Sequence, residues 1–225
     1  MALISCPECG RQVSSMAPAC PECGYPINQA SAPAPAPAAP DRSAEIAKNL
    51  DLAIKGIQGQ NSDQVEKYTS NVLEIDPTHS RAWELQARGI LFGSTLRSNK
   101  IPQATSAAVN AIEYYKGENK AELAISLYDS IAAHINGLLS IAINQMPVMY
   151  APQYVAQCMN YFGPLLCLPC LPKEKLAKEL SAFDQAEEES KKAIMPKKRM
   201  IFASHATLPS WPEQYRALLR EKGII

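Results

Sequence analysis

The side chains in this sequence with the clearest capacity for chemistry are four cysteines near its start. They occur in two copies of the pentapeptide CPECG, and each copy places two cysteines three positions apart with a glycine after the second. This spacing lets both sulfurs of a pair face one ion, and Gly10 and Gly24 permit the tight backbone turn that such a pair needs. Two pairs supply enough sulfurs to close a tetrahedral site. The predicted metal ligands are Cys6, Cys9, Cys20 and Cys23.

Zinc is the metal that we expect here, as one structural ion per chain. Zn²⁺ accepts four thiolates without redox chemistry, and a site closed by four protein ligands leaves no position for water or substrate. Residues 1–29 contain few large apolar side chains, so burial alone cannot offset the entropy of ordering them. Zinc binding contributes on the order of 10–16 kcal/mol in such peptides at neutral pH. The alternative chemistries for these thiols are a redox or disulfide function and an iron–sulfur cluster.

The stretch CPECG…CPECGYPI resembles the short zinc ribbon found at the N-terminus of many bacterial proteins. The resemblance covers residues 1–29 and includes all four cysteines. It implies a small β-hairpin that carries two zinc knuckles. It implies little about function, because such ribbons are joined to many different domains.

The charge of this segment argues against nucleic acid as its partner. Residues 1–29 contain one base, Arg11, and two acids, Glu8 and Glu22. Four thiolates with one Zn²⁺ would add a further net negative charge, whereas a phosphate-binding module needs several Lys or Arg side chains on one face. The whole chain has a formal net charge of +0. It therefore has no general attraction to nucleic acid or to an anionic membrane.

Three further cysteines, Cys158, Cys167 and Cys170, lie in an apolar stretch, and the last two form another C-x-x-C pair. They are candidates for a second zinc site, completed by His134 or His205, or for a redox pair. The stretch QCMNYFGPLLCLPCLP that contains them has no Lys, Arg or His to lower a thiol pKa. We therefore favour the interpretation that they are small buried apolar side chains.

The sequence KKAIMPKKRM gathers the chain's densest cluster of bases. Its residues Lys197, Lys198 and Arg199 are the best candidates for contact with an anionic partner, although such a run is more often a solvated connector. The three histidines are isolated, and neither a glycine-rich phosphate loop nor an HExxH motif is present. We find no catalytic constellation and expect a protein that is not an enzyme.

The elements around the cysteines fall into three regions. Residues 1–29 form the predicted ribbon, and residues 30–40 alternate Ala and Pro without charge, which favours a stiff polyproline II linker. From residue 41 to residue 225, apolar side chains recur every three or four positions, which predicts an all-α domain. The predicted fold class is therefore mainly α.

Several signals in the helical region predict where its helices begin. Asn61 or Ser62 is expected to cap the second helix and Thr78 the third. A long fifth helix is expected around residues 123–142, and a terminal helix is expected to end at Gly223. No segment is long and apolar enough to predict a membrane span.

The stretch NVLEIDPTHSRAWELQARG is similar to the junction between two tetratricopeptide repeats, with Pro77, Ala82, Trp83 and Ala87 at matching positions. The resemblance covers about residues 43–92 and implies stacked helical hairpins that bind other proteins. A second full repeat over residues 93–150 requires an insertion at STLRSNKIPQ.

Together these features predict a non-catalytic, zinc-binding adaptor whose helical domain binds another protein. The alternatives are a nucleic-acid-binding zinc-ribbon protein and a thiol-based metal or redox sensor. The start of the chain lacks the basic and apolar regions of a secretory leader, so we expect a cytoplasmic protein, in which cysteines stay reduced.

Overall fold

The computed structural model describes residues 3–27, 42–147, 149–192 and 211–225, and the chain divides into two compact units, Met1–Asp41 and Arg42–Ile225. Three features predicted above lie outside the described residues: the Pro/Ala linker over residues 30–40, the basic side chains of Lys197, Lys198 and Arg199, and His205.

The described chain is mainly helical with a small β-hairpin near its start, which confirms the predicted class at this level. The strands are β1 (Leu3–Ser5) and β2 (Gln12–Ser14). The helices are α1 (Ser43–Gln58), α2 (Ser62–Ile75), α3 (Ser80–Phe92), α4 (Ile101–Tyr114), α5 (Lys120–Asn144), α6 (Ala151–Leu166), α7 (Lys173–Lys192) and α8 (Trp211–Glu221). None of the described helices is long and apolar enough to cross a membrane.

Strands β1 and β2 form an antiparallel hairpin whose connection contains the first CPECG motif. Alternate side chains of a strand point to opposite faces, and Val13 on β2 is the strand residue that is buried. The paired residues are Leu3 with Ser14, Ile4 with Val13, and Ser5 with Gln12.

The first three helices pack closely around one valine. Val65 on α2 is fully buried and lies between Gly56 on α1 and Gly89 on α3. A β-carbon added to Gly56 would lie 2.8 Å from Val65 Cγ2, and one added to Gly89 would lie 2.6 Å from Val65 Cβ. Both glycines are therefore needed for the helices to approach each other at this separation.

The residue that caps α2 is a predicted one, whereas the residue that caps α3 is not. Asn61 caps α2, because its side-chain oxygen accepts a hydrogen bond from the Gln64 N–H at 3.0 Å. The prediction that Thr78 caps α3 is wrong, and the cap is His79, whose Nδ1 accepts from the Ala82 N–H. The Thr78 side chain is instead turned toward Asp76, whose carboxylate accepts from both the N–H and the hydroxyl of Thr78.

The helices contact one another in a regular order. Helix α1 packs against α2 and α3, α3 packs against α4 and α5, and α5 packs against α6. Helix α4 also contacts α6. Helices α1, α3 and α5 are thus neighbours in succession.

Helix α6 is an element that the sequence analysis does not assign. Its buried side chains follow a helical spacing, but two prolines and a glycine interrupt the pattern. Pro164 lies in the last turn, where the helix ends at once, so it disturbs few hydrogen bonds. The buried residues of α6 include Ala151, Val155, Cys158, Phe162 and Leu165.

Helix α8 docks on α6 and α7 through its buried side chains. Tyr215 is buried, and its hydroxyl donates to the Met159 carbonyl of α6 at 2.6 Å. The Phe183 ring of α7 lies edge-on to both Phe162 and Tyr215. Outside this aromatic contact, the guanidinium of Arg216 donates to both oxygens of the Asp184 carboxylate.

Candidate metal centre

The first CPECG motif forms a tight turn directly after β1. The Cys6 N–H donates to the Arg11 carbonyl at 2.7 Å, and the Gly10 N–H donates to the Cys6 carbonyl at 2.8 Å. Gly10 has a φ of 70°, in the left-handed region that favours glycine. The motif is therefore folded into a compact loop that turns both of its cysteines in one direction.

The second CPECG motif forms the same turn with equivalent backbone hydrogen bonds. The Cys20 N–H donates to the Tyr25 carbonyl at 2.7 Å, and the Gly24 N–H donates to the Cys20 carbonyl at 2.9 Å. Gly24 has a φ of 75°. The identical sequences thus build identical local structures, which is the feature that the sequence analysis predicts for the two glycines.

The four sulfurs converge on one point. We call Cys6, Cys9, Cys20 and Cys23 the cysteine cluster; all their Sγ atoms lie within 4.8 Å of one another. The Cys6–Cys23 sulfurs are 3.6 Å apart and the Cys9–Cys20 sulfurs are 3.7 Å apart. A tetrahedron with metal–sulfur bonds of about 2.3 Å has edges of about 3.8 Å, whereas a disulfide bond is about 2.05 Å long. The spacing fits a bound metal ion.

Both of these sulfur contacts join one turn to the other. Cys6 and Cys9 belong to the first turn, and Cys20 and Cys23 belong to the second. A metal ion bound here would therefore connect the hairpin to the segment that follows it. The apolar core around the cluster is small: beside Cys6 and Cys20 it contains buried Val13 and partly buried Ile27.

The electrostatics of the cluster also favour a cation. The backbone N–H groups of Cys23 and Glu22 donate to the Cys20 sulfur and lower the pKa of Cys20 to about 7. The Tyr25 N–H acts to lower the pKa of Cys23, but burial and the three neighbouring sulfurs outweigh it and raise that pKa to about 12. Four thiolates cannot share this volume without a positive ion, and a bound metal removes their protons.

The charged side chains beside the cluster neutralise each other. Arg11 Nη1 lies 2.9 Å from Glu22 Oε1, and both side chains are more than half exposed. Arg11 is the one basic residue in this N-terminal segment. Its charge is paired with an acid of the second turn.

The three later cysteines occupy different environments. Cys158 on α6 is buried, and burial raises its pKa to about 11. Cys167 is partly buried with a raised pKa for the same reason, while Cys170 is exposed with a φ of 58°. In the described part of the chain, none of them belongs to a group of three converging metal ligands. His134 is engaged elsewhere, since its Nε2 lies 3.1 Å from the Ser94 carbonyl oxygen.

A groove between α3 and α4 contains polar side chains that the sequence analysis does not single out. It has a volume of about 550 Å³, and we call it the carboxamide groove because Gln86, Gln103 and Asn110 line it beside Trp83 and Ile90. The Gln86 Oε1 atom is buried and has no hydrogen-bond partner among the described residues. Nothing in the sequence distinguishes this glutamine, because its role depends on the α3–α4 packing.

No protein-family model matches this chain, and no curated protein or solved structure matches it significantly.

Proposed function

We propose that this chain is a non-catalytic cytoplasmic adaptor. In this proposal its N-terminal segment is a zinc ribbon held by one structural Zn²⁺, and its helical unit is a tetratricopeptide-like domain that binds another protein. The observation that carries the metal part is the convergence of the four sulfurs of the cysteine cluster at tetrahedral spacing.

A structural role for the ion follows from the ligand set. Four thiolates fill the coordination sphere of Zn²⁺, so no position is left for water or substrate. Zinc is favoured over other metals because thiolate ligands in tetrahedral geometry suit it and it adds no redox chemistry. The small apolar core around Val13 and Ile27 makes metal binding the main source of folding free energy for this segment.

The pattern of contacts between helices supports the tetratricopeptide-like part of the proposal. In such arrays the first helices of successive hairpins pack side by side, and here α1 contacts α3 and α3 contacts α5. The Arg88 guanidinium on α3 donates to Ser126 and Ser130 on α5, at 2.8 Å and 2.6 Å, and so ties two successive hairpins together.

The carboxamide groove supplies a surface suited to a polypeptide. Carboxamides both donate and accept, so they can pair with the N–H and C=O groups of an extended chain. A buried acceptor without a partner costs roughly 1–3 kcal/mol, and rotation of the Gln86 carboxamide toward the groove would let a peptide N–H remove that cost. Trp83 and Ile90 would contact the apolar side chains of the same peptide.

The two alternative functions have weaker support. The one base of the N-terminal segment is paired with Glu22, which leaves no cationic face for phosphates. The thiols of Cys158 and Cys167 have raised pKa values, whereas a reactive thiol needs a lowered one.

The adaptor proposal is tested by site-specific photo-crosslinking in the source cells. A photoreactive residue at Gln103, in the carboxamide groove, should crosslink a defined protein, and one at exposed Lys48 on α1 should not. Replacing Gln86 by Ala should reduce the crosslink at Gln103. The proposal fails if Gln103 and Lys48 give the same products, or if Gln103 crosslinks only nucleic acid.

A further inference from the structure

One long stretch of the chain carries no charge. Between Asp129 and Lys173 there is no Asp, Glu, Lys or Arg, although these residues make up 20% of the sequence. This stretch forms most of α5, the turn that follows it and the whole of α6. The absence of charge therefore concentrates in one helical hairpin.

Part of this hairpin is exposed and apolar. Ala133, Gly137 and Ile141 lie four residues apart on α5, so they stack one above another on the same face of the helix. All three are exposed, as are Met149 and Tyr150 in the turn before α6, which are 77% and 51% exposed. We call these five residues the uncharged face.

A groove runs along the α5 side of this face. It lies between α5 and the loop that joins α3 to α4, has a volume of about 570 Å³, and is lined by Gly137, Leu138, Ile141 and Met146 together with Leu96. Among the described residues that line it, Arg97 in the opposite wall is the one with a charged side chain. The groove is thus an apolar channel that is open to solvent.

Nothing in the described part of the chain packs against Gly137. A glycine in the middle of a helix costs roughly 0.5–1 kcal/mol relative to alanine. A β-carbon added at Gly137 would meet nothing within 4 Å, whereas Gly56 and Gly89 each make room for Val65. Small residues four positions apart allow the backbone of another helix to approach closely, as Ala133 and Gly137 would.

We propose that the occupant of this surface is a second copy of the chain, with α5 crossing α5 of the other copy near Gly137. In a two-fold interface the same patch meets itself, so a charge near the axis would face an identical charge. A surface without charge avoids that repulsion. An anionic lipid surface would instead require a cluster of bases, and a charged partner would require complementary charges.

The proposed contact places Ile141 of each copy in the groove beside Gly137 of the other. It is independent of the proposed function, because self-association is measured without the metal or the protein partner. If both hold, each assembly carries two N-terminal segments, and the pair would bind a repeated target more tightly through effective concentration.

The test places a positive or a negative charge at position 137 in two variants and measures their dimerisation by sedimentation equilibrium of the full-length protein. The wild-type protein should form dimers whose dissociation constant changes little with salt, since no charges are involved. Gly137→Lys and Gly137→Glu should each weaken the dimer by about a hundredfold or more, because each places like charges at the axis. An equimolar mixture of the two variants should regain part of the lost affinity, because opposite charges then meet, but not all of it, because both side chains still occupy the crossing.

Ala121→Lys and Ala121→Glu are matched controls, since Ala121 is exposed on the same helix but outside the uncharged stretch. Both should dimerise like the wild-type protein, and all variants should retain its helical circular dichroism. A wild-type protein that stays monomeric overturns the proposal. So do Gly137 variants that dimerise as tightly as wild type, or a mixture that gains nothing over its components.

Discussion

Val65 on α2 occupies the space directly over Gly89 on α3, so that a β-carbon at position 89 would lie 2.6 Å from Val65 Cβ. Val65 is fully buried and also blocks the space over Gly56 on α1. One side chain therefore sets how closely three helices approach. Glycine at both crossings allows the three helices to approach this closely.

Replacing Gly89 by Ala should destabilise the helical unit by about 1–3 kcal/mol, because the added methyl group must push Val65 or a helix aside. The change would appear as a lower urea midpoint in the loss of helical circular dichroism. Gly59→Ala, directly after α1, is the matched control, since a β-carbon there would meet nothing closer than 3.4 Å, an ordinary contact. It should be neutral or stabilising by up to about 1 kcal/mol. Equal effects at the two positions would contradict this account of Val65.

Replacing Tyr215 by Phe should cost about 1–3 kcal/mol, because the buried Met159 carbonyl loses the hydroxyl that donates to it. Tyr114 on α4 is 38% exposed, so Tyr114→Phe should change the unfolding free energy by less than about 0.5 kcal/mol. Chemical denaturation of the two variants distinguishes them. If Tyr215→Phe is as stable as wild type, the hydroxyl does not anchor α8 to α6.

The ion pair between Lys100 and Glu66 should make a small, pH-dependent contribution to stability. The Lys100 Nζ lies 2.7 Å from Glu66 Oε1, which also accepts a hydrogen bond from Ser62. Burial acts to raise the pKa of Glu66, but the hydrogen bonds from Lys100 and Ser62 outweigh it and lower that pKa. A lowered folded-state pKa contributes stability above the unfolded-state pKa, and this stability is lost as the pH falls through the folded-state pKa.

Glu66→Gln should therefore cost about 0.2–1 kcal/mol at neutral pH, a modest value because both side chains are about one-third exposed. The difference from wild type should shrink as the pH falls below the folded-state pKa of Glu66. Denaturation curves collected across that acidic range measure it. A penalty that stays constant into strong acid would show that the substitution acts through packing and not through charge.

The sequence was most informative where short-range chemistry decides the structure. The C-x-x-C spacing and the glycine that follows each pair determine local turns, so the convergence of the four sulfurs could be predicted from residues 1–29. The helical periodicity likewise predicted α1 to α5, and the polar side chain of Asn61 predicted a cap that is present.

The features that sequence reasoning missed depend on contacts between distant residues or on competing local bonds. Helix α6 was obscured by prolines and a glycine, which the structure accommodates near the helix ends and against α8. Thr78 does not cap α3, because its side chain is turned toward the Asp76 carboxylate and His79 accepts from the Ala82 N–H. The oxygen of Gln86, unpaired among the described residues, becomes buried only once α3 packs against α4.

The measurement that tests the central claim most directly is the metal content of the purified full-length protein. Wild type should contain one zinc per chain, and a Cys20→Ser, Cys23→Ser double variant should contain none. Chelation should unfold residues 3–27 and leave helical circular dichroism unchanged, because the metal supports only the N-terminal segment. Cys170→Ser, which changes an exposed thiol outside the cysteine cluster, should keep the full zinc content. A wild-type protein without metal, a double variant that retains zinc, or a loss of helix on chelation would contradict the account.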